Sequence, residues 1–186
     1  DWDQKDNILE SGKVDCLWGC YTMTGREEKY NWAGPYMCSR HVIVVRKDSS
    51  IKKLSDLNGR IVAAQVGTKP ETLFLNKSNH LPKIKSLVTF KTIDEVISAL
   101  RKGYVDAIAA HEGVLRQYTK DEITQYRFLS ESIYSAKLGV AFSKKGDQQI
   151  ADKLTKVLRK MVADGTVSRI VEKYSMNGIQ AVKDLE

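Results

Sequence analysis

The chain has 186 residues, 42% of them hydrophobic, and a formal net charge of +7 from 30 Lys and Arg against 23 Asp and Glu. This length suits one large domain or two small ones, and 12 Gly with only 3 Pro argue against a fibrous or disordered chain. No apolar run reaches membrane-spanning length. Because the basic residues are spread out and lack interleaved aromatic residues, we interpret the charge as a solvated surface, with no nucleic-acid partner.

A short motif occurs twice, first at Leu9–Leu17 and again at Leu100–Ile108. In each copy a leucine precedes a glycine by three positions, and a Val-Asp pair and an apolar run follow. The motif predicts a helix that ends at the glycine and a strand directly after it, at Val14–Gly19 and Tyr104–Ala110. Two such joints suggest two similar α/β lobes with a cleft between them. The chain begins without Met inside a predicted helix at 1–11, and we expect a processed or truncated end there.

The rest of the chain alternates between short apolar segments and amphipathic ones. The predicted strands are 41–46, 60–66, 87–90, 126–129 and 138–143, and the predicted helices are a segment starting at Thr68, 92–102, 111–119, 147–163 and 167–174. Thr68 and Glu71 have the spacing of a capping box. Alternation of this kind predicts a parallel sheet covered by helices on both faces.

The cysteines and histidines do not form a reactive or metal-binding pattern. On a predicted strand, Cys16 and Cys20 lie roughly 13 Å apart, too far for a disulfide. We interpret them, with Cys38, as small buried residues. His41, His80 and His111 are isolated in the sequence, so no metal site and no cofactor are predicted.

Ligands of parallel α/β sheets bind where strands end and helices begin. This rule selects three segments: the Thr22–Arg26 loop, Gly67-Thr68-Lys69, and Ala110-His111-Glu112. Arg26 offers a planar fork that suits a carboxylate, and the helix starting after Thr68 offers backbone N–H groups. The predicted site therefore holds a small carboxylate, with hydroxyl donors from Thr22, Thr24 and Thr68.

Two residues of the third segment, His111 and Glu112, suggest roles other than carboxylate binding. Glu112 could accept hydrogen bonds from a cationic amine. His111 is interpreted as a loop residue and not as a catalytic base, because the sequence places no nucleophile or carboxylate partner beside it. No catalytic residue is therefore predicted.

The ordered set of motifs resembles the bacterial extracellular solute-binding proteins of the amino-acid ABC-transporter family, the type 2 periplasmic-binding fold. The resemblance covers residues 2–174 and rests on the following motifs: Gly12-Lys-Val-Asp15, Thr22-x-Thr24 with Arg26, Trp32 through Pro35-Tyr36, Leu54-x-Asp56-Leu57-x-Gly59, Val66-Gly67-Thr68, Gly103-x-Val-Asp106-Ala, and Asp164-Gly165-Thr166.

The resemblance implies a two-lobe Venus-flytrap fold. Residues 1–36 and 138–186 would form lobe 1, residues 39–134 would form a complete lobe 2, and two crossing segments would join them. Thr22 and Arg26 would hold the ligand carboxylate with help from Thr68 and Lys69. Gly19 and Cys20 would line the lobe 1 wall, and Gly67, Thr24, His111 and Glu112 complete the set of candidate ligand-binding residues.

The chain departs from the family pattern in three respects. Lobe 1 lacks its first strand-helix-strand unit, so we expect a fragment, or a lobe completed by something else such as a second copy in a homodimer. The loop from Thr24 to Arg26 is one residue shorter. The usual amine-binding Asp falls on His111, so carboxylate recognition is better supported than amine recognition.

The expected function is that of a non-enzymatic binding component of an ABC transporter, which takes up an amino acid or related carboxylate and passes it to a membrane permease. The resemblance implies export to the periplasm or cell exterior as a signal-bearing protein or lipoprotein, with membrane anchoring left open. Two alternatives use the same fold: the sensor domain of a membrane receptor kinase, and a periplasmic dehydratase of cyclic acids with His111 and Glu112 as its acid and base.

Overall fold

A computed structural model describes residues 2–78, 80–174, 176, 178–183 and 185 of the chain. The chain divides into two compact units. The central unit is Arg40–Tyr134 with Asp1–Asp3, and the terminal unit is Gln4–Ser39 with Ser135–Glu186. The chain passes from one unit to the other at 3/4, 39/40 and 134/135, and the last two passages lie inside long strands.

The described elements alternate between strands and helices through the middle of the chain. The strands are β1 (Asn31–Arg46), β2 (Ile61–Gln65), β3 (Ser86–Phe90), β4 (Ala107–His111) and β5 (Tyr126–Phe142). The helices are α1 (Lys5–Glu10), α2 (Lys69–Leu75), α3 (Ile93–Arg101), α4 (Glu112–Thr119), α5 (Gln148–Ala163), α6 (Thr166–Glu172) and α7 (Gly178–Val182). Of these helices, none is long and apolar enough to cross a membrane.

The sheet is mixed, and the prediction of a purely parallel sheet was wrong. The strand order is β3-β2-β4-β1-β5. Strand β2 runs parallel to both β3 and β4, whereas β1 runs antiparallel to β4, with His41 opposite His111. The strand-helix-strand connections fix only the direction of β2, β3 and β4. Strand β1 precedes them without such a crossover helix, so its direction is not set by that rule.

Residues of β1 alternate between the two faces of the central sheet. Val42 and Val44 pack in one cluster with residues of α3 and α4, while Ile43 and Val45 pack in another with Leu57 and residues of α2 and β5. All four β1 side chains are fully buried. Burial on both faces explains why this strand reads as an unbroken run of β-branched residues.

In the terminal unit, α5 covers the strand segments of that unit. Ala151 and Leu158 pack with Ala33 and Val140 in one cluster. Thr155 reinforces this contact, because its hydroxyl accepts a hydrogen bond from the Gly34 backbone N–H at 3.1 Å. Helices α6 and α7 form a second cluster around Val167 and Val171. Helix α7 lies in the tail for which the sequence predicted no element.

The repeated motif ends its helix in both copies but begins a strand in only one. Gly12 and Gly103 follow α1 and α3 with φ of +70° and +74°, and their N–H groups donate to Leu9 and Leu100. Strand β4 follows the second copy. The predicted strand Val14–Gly19 was wrong: only Leu17 forms an isolated antiparallel bridge, to Ala141. The side chain of Trp18 beside it is 58% exposed, so no apolar face drives longer pairing.

Candidate functional site

The first candidate loop is fastened to β5 inside the terminal unit. Leu17 exchanges two backbone hydrogen bonds with Ala141, at 2.8 and 3.1 Å. Further along, Met23 N–H donates to the Lys137 carbonyl at 2.9 Å, and the Thr24 hydroxyl oxygen accepts from Lys137 N–H at 3.1 Å. These bonds hold the segment from Leu17 to Thr24 against β5, although the sequence predicted only an irregular loop after residue 19.

Arg26 is the last residue of a tight turn. Its backbone N–H donates to the Met23 carbonyl at 2.9 Å, which closes a four-residue turn. Gly25, at the third position, has a φ of +78°. A type II turn needs positive φ at this position, and glycine meets that need without a steric penalty.

The Arg26 guanidinium lies against an aromatic ring. Its Cζ is 5.1 Å from the centroid of the Tyr21 ring, a cation–π contact. Within the part of the chain that the structure describes, no carboxylate lies within ion-pair distance of this guanidinium. The planar fork can therefore receive a carboxylate from outside the chain.

The other candidates of this loop differ in exposure. Thr22 is 2% exposed and forms a backbone bridge with Leu138. Gly19 is exposed, and Cys20 is half-buried with a φ of +48°. Burial raises the pKa of the Cys20 thiol, so the thiol is neutral at physiological pH. The terminal unit thus gathers five candidates in one segment: Gly19, Cys20, Thr22, Thr24 and Arg26.

In the central unit, the segment before α2 uses its polar groups internally. The Thr68 hydroxyl donates to the Gln65 carbonyl at 2.6 Å and makes no cap to the helix. The Glu71 carboxylate accepts from Gly67 N–H at 2.7 Å. The predicted capping box of Thr68 and Glu71 was therefore wrong: the Thr68 hydroxyl bonds backwards to the end of β2, and the Glu71 carboxylate accepts from Gly67, one residue before the N-cap.

Two residues that were not among the candidates connect the two loops of the central unit. Lys69 Nζ is 4.8 Å from the Tyr134 ring centroid, and that ring is 5.8 Å from the ring of His41. The His41 ring lies 3.8 Å from that of His111, its partner across β1 and β4. The structure therefore brings Lys69 and His111 into one polar-aromatic group. The pairing of distant strands creates this group, so local sequence gave no signal for it.

Glu112 is held by two arginines. One carboxylate oxygen accepts a hydrogen bond from Arg40 Nε at 2.9 Å and lies 2.8 Å from Arg40 Nη2 in an ion pair, and the other accepts from Arg116 Nε at 2.9 Å and Nη2 at 2.7 Å. Only 15% of the Glu112 side chain is exposed. Burial raises the pKa of this carboxyl, but the bonds from Arg116 and Arg40 outweigh it and hold the pKa below its ordinary value.

No group of three or more His, Cys, Asp or Glu residues is arranged to hold a metal ion in the described ranges. The structure also adds three residues to the candidate set: Tyr21, which faces Arg26, and Arg40 and Arg116, which hold Glu112. A buried charge requires partners, but the sequence did not indicate which arginines would supply them, since Arg40 lies 72 positions from Glu112.

The chain matches the model of a protein family over residues 1–177: bacterial extracellular solute-binding proteins, family 3. The glutamate-binding protein GluB of Corynebacterium glutamicum is 29% identical over 176 residues, covering 90% of this chain and 58% of GluB. The histidine-binding periplasmic protein of Escherichia coli is 28% identical over 177 residues, covering 89% of this chain and 66% of that protein.

A solved structure of an ancestral arginine-binding protein bound to glutamine superposes with a TM-score of 0.77 at 29% identity, covering 94% of this chain and 76% of that one. This likeness confirms the expected fold class, the α/β fold of type 2 periplasmic binding proteins. The chain spans 58% of the length of GluB and 63% of that of GluB from Corynebacterium efficiens.

Proposed function

Since this chain belongs to the bacterial extracellular solute-binding proteins of family 3, we propose that it binds a small carboxylate, an amino acid or a closely related acid. Proteins of this family act in the periplasm or outside the cell. The family consists of solute-binding proteins and not of enzymes, so the dehydratase alternative is not favoured.

The observation that carries the proposal is the state of Arg26. A tight turn presents this side chain, and the Tyr21 ring contacts its guanidinium without using an N–H donor. No described carboxylate neutralises it. A guanidinium in this state is suited to a two-pronged bond with the carboxylate of a ligand. Thr22 and Thr24 flank it, and we propose them as neighbours of the same ligand group.

Recognition of the ligand's amine is less well supported by the central unit. The two carboxylates nearest the candidate segments, Glu71 and Glu112, are already engaged, the first by Gly67 N–H and the second by two guanidinium groups. We therefore propose that Glu112 is a structural anchor. Lys69, Thr68, Gly67 and His111 remain the proposed contributions of this unit to binding.

The proposed partner is the membrane permease of an ABC transporter. Support comes from the relatives, which include a structure described as the substrate binding protein of an amino acid ABC transporter. The sensor alternative is not favoured by these relatives. A homodimer stays a prediction, to which the exposed apolar side chains Trp18, Ile150 and Val157 of the terminal unit lend support.

Calorimetry of the Arg26→Ala variant tests the proposal. The probes are L-glutamate, L-histidine and L-arginine, the last two chosen to cover cationic side chains. Loss of a charged partner from a desolvated carboxylate weakens binding by roughly 30-fold or more. Arg26→Lys keeps the charge but not the fork, so its affinity should lie between those of the wild type and the alanine variant.

Arg159→Ala is the matched control, because Arg159 is an exposed arginine on α5 of the same unit. Its affinity should equal that of the wild type. If Arg26→Ala binds the best probe as tightly as the control does, Arg26 does not hold the ligand carboxylate and the proposal is wrong.

A further inference from the structure

We propose that Tyr21 and Trp32 are positioning residues that hold Arg26 in the orientation for carboxylate binding. The inference rests on the proposed function of Arg26 and deepens it. It assigns a role to a buried aromatic cluster that was not among the candidates predicted from the sequence.

Tyr21 and Trp32 contact opposite ends of Arg26. At the side-chain end, the guanidinium Cζ lies 5.1 Å from the Tyr21 ring centroid. At the backbone end, Trp32 Nε1–H donates to the Arg26 carbonyl at 3.0 Å. A long arginine side chain normally samples many rotamers, and contacts at both ends reduce the conformational freedom that ligand binding would otherwise remove.

Tyr21, Tyr30 and Trp32 form a buried, closely packed cluster, called the aromatic platform below. Tyr21, Tyr30 and Trp32 are 1%, 3% and 9% exposed. Their rings contact each other pairwise, with centroids 5.3 to 5.6 Å apart in tilted or edge-to-face arrangements. Such pairs stabilise a cluster beyond the effect of burial alone.

Polar contacts tie this platform to α1. The hydroxyl groups of Tyr21 and Tyr30 share a hydrogen bond of 2.7 Å, and the Tyr30 hydroxyl donates to the Asp6 carboxylate. Asp6 also pairs with Lys29 Nζ at 2.7 Å. Burial raises the pKa of both tyrosines, so both hydroxyl groups stay protonated at physiological pH and the ring that faces Arg26, that of Tyr21, is uncharged.

Three variants separate the contacts of the platform. Tyr21→Phe keeps the ring under the guanidinium and removes the hydroxyl bond to Tyr30, so it should weaken binding less than the loss of the ring does. Tyr21→Leu removes the ring and should weaken binding about tenfold. Trp32→Phe keeps an aromatic ring but removes the donor to the Arg26 carbonyl, and a loss of about three- to tenfold is expected.

A double-mutant cycle distinguishes positioning from general structural support. Calorimetry uses L-glutamate, L-histidine or L-arginine, whichever binds the wild-type chain most tightly. If Tyr21 acts through Arg26, Tyr21→Leu changes affinity by less than about twofold in an Arg26→Ala background. An equal loss in both backgrounds would show that Tyr21 acts independently of Arg26, which overturns the inference.

A ligand-independent measurement keeps the test decisive if a variant folds poorly or no probe binds. In NMR spectra of the wild-type chain, the Arg26 Nε–H resonance should show a ring-current shift that persists in Tyr21→Phe. The Trp32 Nε1–H should exchange slowly with solvent. A wild type with both signatures but no binding of the three probes would refute the proposed function of Arg26 while leaving its placement by the platform intact. Absence of both signatures would refute the placement itself.

Discussion

Replacing Glu112 by glutamine should destabilise the central unit, because it removes the charge that two arginines share. Glu112 accepts three charge-assisted hydrogen bonds of 2.7 to 2.9 Å, one from Arg40 and two from Arg116, and its ion pair with Arg40 Nη2 is 2.8 Å long. The glutamine amide nitrogen can only donate, so it would face a guanidinium with no acceptor to offer. A nearly isosteric change therefore removes the charge from both arginine contacts and replaces one of the two acceptor oxygens by a donor.

The size of the effect follows from the exposure of the three side chains. Breaking a fully buried ion pair costs about 3 to 5 kcal/mol, whereas exposed pairs contribute about 0.2 to 1 kcal/mol each. Glu112 is 15% exposed, but the side chains of Arg40 and Arg116 are 41% and 33% exposed and can recover water. We therefore expect Glu112→Gln to lower the free energy of unfolding by about 1 to 3 kcal/mol at pH 7.

The effect should also depend on pH in a defined direction. Burial raises the pKa of the Glu112 carboxyl, but the bonds and charges of Arg116 and Arg40 lower it more, and the folded-state pKa lies below the usual 4.5. A depressed pKa contributes stability above the unfolded value, and this contribution is lost as the pH falls through the folded value. The difference between wild type and Glu112→Gln should therefore be full at pH 7 and shrink below pH 4.5.

Urea unfolding followed by far-UV circular dichroism at pH 7 and pH 3 measures both quantities, and amide hydrogen exchange in β4 and α4 locates the change. Glu122→Gln is the matched control, because Glu122 has one ion pair, to the more exposed Arg101 at 3.2 Å. The control should change stability much less. The prediction is refuted if Glu112→Gln leaves the free energy of unfolding unaltered at pH 7. It is refuted equally if the variant lowers that free energy by the same amount at both pH values, because Arg40 and Arg116 would then not stabilise a charged Glu112.

Two further predictions concern packing and ligand choice. A Cβ at Gly139 would lie 2.9 Å from Trp32 Cε3 and 3.0 Å from the Ala33 carbonyl, so Gly139→Ala should cost about 1 to 3 kcal/mol in urea unfolding monitored by tryptophan fluorescence. Gly19→Ala, where a Cβ meets nothing within 4 Å, is its control and should be near neutral. Because Glu71 and Glu112 are engaged, 2-oxoglutarate should bind within about fivefold of L-glutamate in calorimetry. A 2-oxo acid that binds about 100-fold more weakly would show that a carboxylate of the chain reaches the amine.

The elements that the sequence predicted well are those whose signals are local. The run His41–Arg46 is β-branched because both faces of β1 are covered there. Helix α3 is capped by Thr92, whose hydroxyl accepts from Glu95 N–H while the Glu95 carboxylate accepts from Thr92 N–H. A capping box of this kind needs only residues three positions apart, so it can be recognised without knowledge of the fold.

The missed elements depend on partners far away in the chain. Strand β1 begins ten residues earlier than predicted, at Asn31, although Gly34 and Pro35 interrupt its strand propensity. Val14 and Trp18 gave an apolar appearance to a segment that pairs only at Leu17. In both cases the available pairing partner, and not local propensity, decides whether a strand forms.

The short loop before Arg26 depends both on a local sequence signal and on partners that are distant in the chain. The resemblance led us to expect a loop one residue shorter than the family pattern. The turn closed by Met23 and Arg26 accommodates a loop of this length, because Gly25 supplies the positive φ that a tight turn requires. The turn also brings the Arg26 carbonyl within reach of Trp32 and the guanidinium over Tyr21. A short loop has few conformations to lose on ordering, so the tight turn and the aromatic contacts act in the same direction to restrict Arg26 before a ligand arrives.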